Sequence, residues 1–278
     1  MFEAPDPQVV RESRRCPRAE FSYAEPVPEL PASVRFAIWS TLALARRGVD
    51  LPEAVAAATP DIPDVDAAAA IARLDLWSQL GERVVLLSLP APGDLVGLPR
   101  GDPEFVGAAV EAGECAWSPL VGGALVPAFE TFGPAGDRGE IVRWESYDCT
   151  PPPAHVLGQV TAADVERRLR AATIEATEAL EGLDVRAWDS GLRDLADERL
   201  ASGRWGLPPD VPARLRRVLT QAATIETIAT TALEHLHDAP TLAAGEHRSR
   251  VLRSVAQQAR RALASSACAA CFDLAGGS

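Results

Sequence analysis

The sequence predicts an α+β N-terminal domain with a small sheet, followed by an all-α helical bundle. Three observations carry this. Short β-rich runs alternate with helical stretches up to residue 150. The prolines of "CTPPPAHVLGQV", residues 149–160, then force an extended segment. Beyond residue 160 the apolar pattern has a helical period and carries no strand signal.

Residues 1–30 hold Pro5, Pro7, Pro17, Pro26 and Pro28 among mixed charges, which forbids continuous helix and predicts an extended arm. In "PASVRFAIWSTLALARRG" Val34, Ile38, Leu42 and Leu44 recur at near-helical spacing, and Gly48 offers a stop. A short helix is predicted near Pro52–Ala58 and a third over Asp64–Leu80, ended by Gly81. "RVVLLSL" reads as a short buried strand. A helix over Pro103–Ala112 follows, then strands near Cys115–Trp117, Ala124–Phe132 and Glu140–Tyr147, giving a sheet of about four strands over residues 31–150. The joint at 151–160 separates this domain from a bundle over 161–278. There Thr161 and Asp164 resemble a capping box, and Val165, Leu169, Ala172, Ala176 and Leu180 share one face. Further helices fit Val185–Ser202, Pro212–His237 and Glu246–Phe272, for a bundle of about four antiparallel helices.

The basic residues are 27 arginines with no lysine. No amine is present for a Schiff base, a Walker A loop or a kinase strand lysine. Net charge is −12, and residues 1–150 carry 12 arginines against 23 acidic residues while 151–278 carry 15 against 16. Nucleic-acid binding draws on a basic excess, so no nucleic-acid partner is expected. Arginines spread along the C-terminal helices read as a solvated face. The chain shows no secretory signal and no apolar run of the roughly 18 residues of a membrane span, so a cytoplasmic protein with no membrane partner is expected.

The most site-like stretch is "LSLPAPGDLVGLPRGDPEF", residues 87–105. Arg100 and the amides around Gly101 could hold an anion, Asp94 could accept a hydrogen bond, and Asp102 could line the site or simply cap the helix at Pro103. In the bundle, "AATIE" occurs at 171–175 and 222–226. Glu226 falls on the apolar stripe of Leu215, Leu219, Ala222, Ala229 and Leu233, which predicts a buried carboxylate paired with an arginine of a neighbouring helix. "CAAC", Cys268–Cys271, lies late in a helix without further ligands and reads as reduced packing residues. Glu234 and His237 form one E-x-x-H where a di-iron bundle needs two. No metal and no cofactor are expected.

The "LPAPGDLVGLP" turn, the "FVGAAVEAGE" helix, the "VRW" strand and the arginine-rich helical tail resemble uncharacterised proteins of high-GC Gram-positive bacteria. That resemblance implies the two-part layout and carries over no catalytic residue. The function expected first is a non-catalytic protein-binding or scaffold protein that engages a protein partner, or itself, through the helical half. The alternative is a small anionic-ligand-binding protein or enzyme using the 87–105 loop. A winged-helix regulator ranks last, since "DVDAAAAIARLDLWSQL" offers phosphate three aspartates and one arginine.

Overall fold

The computed structural model describes residues 30–45, 48–60, 62, 64–134, 139–153, 162–181, 205–234 and 242–276. The arm at 1–29, Thr161, the helix predicted over Val185–Ser202 and His237 lie outside the described residues.

The N-terminal part is α+β and the C-terminal part is helical. In chain order the elements are α1 (Ala32–Ala45), α2 (Leu51–Ala58), β1 (Asp64–Asp66), α3 (Ala68–Gln79), β2 (Leu86–Ser88), β3 (Arg100–Gly101), α4 (Pro103–Ala112), β4 (Cys115–Trp117), β5 (Ala124–Phe132), β6 (Gly139–Tyr147) and β7 (Cys149–Thr150). Among the described residues three helices follow: α5 (Ala162–Glu181), α6 (Ala213–Glu234) and α7 (Leu242–Gly276). Among the described residues no strand follows Thr150, and no helix is long and apolar enough to cross a membrane.

The sheet has five strands in the order β1-β6-β5-β4-β2. All neighbours are antiparallel except β1 and β6. The expected third helix starts later than its sequence suggests, because Asp64–Asp66 pairs with Ile141–Arg143 as an edge strand. Val65 is β-branched and favours the sheet, and Asp66 meets Arg143 at 3.4 Å across the pair. A separate two-stranded ribbon, β3 with β7, was not expected.

One core runs through both parts. Trp77, Trp117, Trp144, Phe36 and Phe105 are almost wholly buried, and the Phe36 and Trp144 rings lie 4.1 Å apart between centroids. Helix α1 is buried nearly all round because β2, β4, β5, α2 and α7 enclose it. Its polar Thr41 is accommodated by accepting the Val85 N–H at 2.8 Å. Helix α7 joins the parts. Ala259, Ala262, Leu263, Ala267, Ala270 and Cys271 are buried, and these mostly small residues let its C-terminal end pack against α1 and β2. The helix also packs on α5 and α6. Helix α6 is buried on more than one side. Thr224 and Thr227 tolerate this by donating their hydroxyls to the carbonyls of Thr220 and Ala223.

Candidate functional site

The stretch "RSRVLRSVAQQARR", residues 248–261, places Arg250, Arg253, Ser254, Gln257 and Arg260 three and four apart, so they share one face of α7. Helix α6 turns Glu226, Thr230 and Leu233 towards the same space. The third wall is a tight turn after β2, in which Ala91 and Asp94 exchange backbone hydrogen bonds at 2.9 and 2.8 Å. Gly93 permits it with φ +81°. Together these walls enclose a cleft of about 510 Å³.

The charges in the cleft fall into two groups. Arg260 is fully engaged. Its Nη1 donates to Glu226 Oε1 at 3.2 Å, its Nε to the Leu89 carbonyl at 3.2 Å, and its Nη2 to the Gly113 carbonyl at the end of α4. A guanidinium suits this role because its planar fork serves several acceptors at once. Glu226, 24% exposed, is therefore neutralised in place. Arg261 grips Asp94 with two parallel bonds of 2.9 Å, Nε to Oδ2 and Nη2 to Oδ1. That grip holds the Asp94 carboxyl below the usual carboxylate range against the opposing effect of burial. Both carboxylates are thus spoken for. Arg250 and Arg253 are exposed on the rim, and among the described residues neither carries an ion pair.

The residues nominated from the sequence separate here. Asp94 and Glu226, chosen on unrelated grounds, line one cleft. Arg100, Gly101 and Asp102 lie elsewhere. Arg100 and Gly101 pair with Thr150 and Cys149 in the ribbon, and neither lines the cleft. A Cβ on Gly101 would collide with the Phe105 ring, so the glycine serves close approach. Asp102 accepts the Phe105 N–H at 2.8 Å as the N-cap of α4. Sequence reasoning missed Arg250, Arg253, Arg260 and Arg261. The polar periodicity of 248–261 was the available signal.

Other reactive side chains are structural. Burial pushes the thiols of Cys149 and Cys268 up to about 11 and raises those of Cys115 and Cys271 further. Cys268 Sγ sits 3.5 Å from the Leu87 carbonyl, where α7 packs on β2. Buried Glu82 accepts hydrogen bonds from the Arg83, Val84 and Leu120 amides and from Ser118, which shapes the loops around it. Buried Glu114 accepts the Ser33 N–H at 2.6 Å in the first turn of α1, and desolvation raises its carboxyl. Among the described residues no group of three or more histidine, cysteine or acidic side chains is placed to hold a metal ion.

Residues 33–160 match the family described as Rv1486c-like protein, N-terminal domain, and residues 163–264 match Rv1486c-like protein, C-terminal domain. The chain belongs to the Rv1486c-like family. The resemblance read from the sequence therefore stands as membership of a family. The cleft draws on both matched parts: the 91–94 turn lies in the Rv1486c-like N-terminal domain, and Glu226, Arg250, Arg253 and Arg260 lie in the C-terminal one. No curated protein and no solved structure matches the chain.

Proposed function

We propose that the protein is a non-catalytic binding protein that takes an anionic group in the cleft between α6, α7 and the 91–94 turn. The observation that carries this reading is the pair Arg250 and Arg253. They face a concave space whose own carboxylates are already neutralised by Arg260 and Arg261. The reading keeps the binding role expected of the helical half, and it moves the anion site away from Arg100, Gly101 and Asp102. A volume of about 510 Å³ falls within the roughly 300–1,000 Å³ of small-molecule sites, which favours a small ligand over a flat protein contact. Cys149 and Cys268, half-buried and with raised pKa, make poor nucleophiles, so the reading asks no thiol chemistry of them.

The test is direct binding to the full chain of inorganic phosphate, citrate and a glutamate-rich peptide, followed by calorimetry and thermal stability. The expected result is that at least one anion binds wild type, that binding weakens with added salt, and that the double variant Arg250→Gln/Arg253→Gln loses it. Equal binding by wild type and double variant places the site elsewhere. Binding by neither removes the reading, and binding of the peptide alone makes a protein partner the occupant.

A further inference from the structure

We infer that the group taken by the cleft is a phosphate monoester carried on a small hydroxylated molecule, an inference that rests on the cleft being an anion site. The charge balance comes first. Among the described residues three arginines and two carboxylates line the cleft. Arg260 answers Glu226, and Arg261, just outside the lining, answers Asp94. Two positive charges are left, on Arg250 and Arg253. A phosphate monoester carries about −1.5 to −2 at neutral pH and balances both. A single carboxylate balances one. A di- or triphosphate brings more charge than two arginines can answer, and it would also face Asp94 and Glu226 across the cleft.

Geometry gives the second constraint. Residues three apart on a helix have Cβ atoms about 5–6 Å apart, so the two forks can converge on one group. Each fork offers parallel N–H donors, and a phosphate presents three oxygens to share between them. A carboxylate presents two oxygens in one plane and satisfies one fork.

The remaining lining describes the body of the ligand. Phosphate alone leaves most of a 510 Å³ cleft unfilled. Thr230 and Ser254 supply neutral donors and acceptors that suit hydroxyl groups, while the Gln257 amide donates to Asp94. Leu233, Ala256 and Pro92 supply apolar contact for a carbon skeleton. Among the described residues no uncompensated carboxylate lines the cleft to recognise an amine or another cation.

Calorimetric titration of the full chain with glycerol 3-phosphate tests this. Inorganic phosphate, dimethyl phosphate, glycerol and succinate are the comparison ligands. Glycerol 3-phosphate is expected to bind, inorganic phosphate to bind more weakly, and glycerol and the singly charged dimethyl phosphate not to bind. Arg250→Gln and Arg253→Gln should each weaken glycerol 3-phosphate by about tenfold or more, the loss of one charge-assisted contact. Arg100→Gln, outside the cleft, should leave binding unchanged. Ser254→Trp, which fills the cleft without altering its charge, should abolish binding while the melting curve is kept. If succinate binds through Arg250 and Arg253 and the phosphate ester does not, the phosphate assignment is overturned and the anion cleft stands. If no ligand responds to either arginine substitution, both readings fall together.

Discussion

The two ends of α7 do opposite work. From residue 245 to 258 the helix is mostly exposed or half-buried, with Leu252 alone buried, and its arginines face the cleft. From Ala259 to Leu274 it buries a stripe of alanines, Leu263, Ser266, Cys271 and Leu274. Composition explains the change. Small side chains let the C-terminal end come close to α1 and β2, where water is excluded. Long arginines at the other end keep their charged heads in solvent. One rigid element therefore carries the cleft wall at one end and anchors it in the N-terminal core at the other. Substitutions along this single helix should then divide cleanly into those that cost stability and those that cost binding.

The largest effect expected is at the buried end. Leu263 is 1% exposed within the shared core. Leu263→Ala should destabilise the protein by about 2–5 kcal/mol, through lost burial and the cavity left behind. Urea denaturation measures this. A cost under about 1 kcal/mol would mean that α7 does not anchor the two parts, because buried leucines lose more than that.

At the junction of the two ends, Arg260→Ala should cost more than Glu226→Ala. Removing the arginine leaves a three-quarters-buried carboxylate and the carbonyls of Leu89 and Gly113 without their donor. About 2–3 kcal/mol is expected, below the 3–5 kcal/mol of a fully buried pair because both side chains keep some contact with water. Removing Glu226 leaves Arg260 with both carbonyls, and about 1 kcal/mol is expected. Denaturation midpoints of the two single variants decide the order. Equal losses would show that the carbonyl contacts contribute nothing and that the joint is only an ion pair.

Much of this fold was legible because local signals agree with the tertiary structure. Asp102 followed by Pro103 announces a helix start, and Gly113 ends that helix with φ +72°. The apolar period of α6 gave its start to within a residue, and α7 runs about a turn further at each end than its period suggests. The elements missed are those without a local signal. Asp64–Asp66 is too short to show alternation, and its partner lies on β6 far along the chain. The β3–β7 ribbon is set by long-range pairing of two-residue strands. The site was half legible for the same reason. Asp94 looked like a loop residue and Glu226 like a buried carboxylate. Only packing of α7 against both parts brings them together. The arginines were hidden by their number: among 27, a stripe of four gives little contrast.

The smallest effect concerns the rim, where Asp94 fastens the 91–94 turn to α7. Asp94 is 10% exposed and Arg261 40%, so the pair is partly screened by solvent. Asp94→Asn should lower stability by about 0.5–1 kcal/mol at neutral pH. In a chain of this size that is a fall of roughly 2–4 °C or less in Tm. The pH dependence is what identifies the cause. Arg261 depresses the folded carboxyl below its ordinary value, so the unfolded chain binds the proton first as pH falls. The contribution of the pair is therefore complete above the unfolded value of about 3.9 and is lost as pH drops towards the lowered folded value. Glu114 acts with the opposite sign, because burial raises its carboxyl and its charge costs stability as pH rises past the ordinary carboxylate value. Wild type and Asp94→Asn share Glu114, so its effect cancels when the two are subtracted. The difference between them should be flat from pH 7 to about 5 and should shrink below about 3.9. A difference that stays constant down to pH 3 would mean that the Asp94 charge contributes nothing and that the turn is held by its backbone bonds alone. The exposed end of α7 would then line the cleft without fastening its rim.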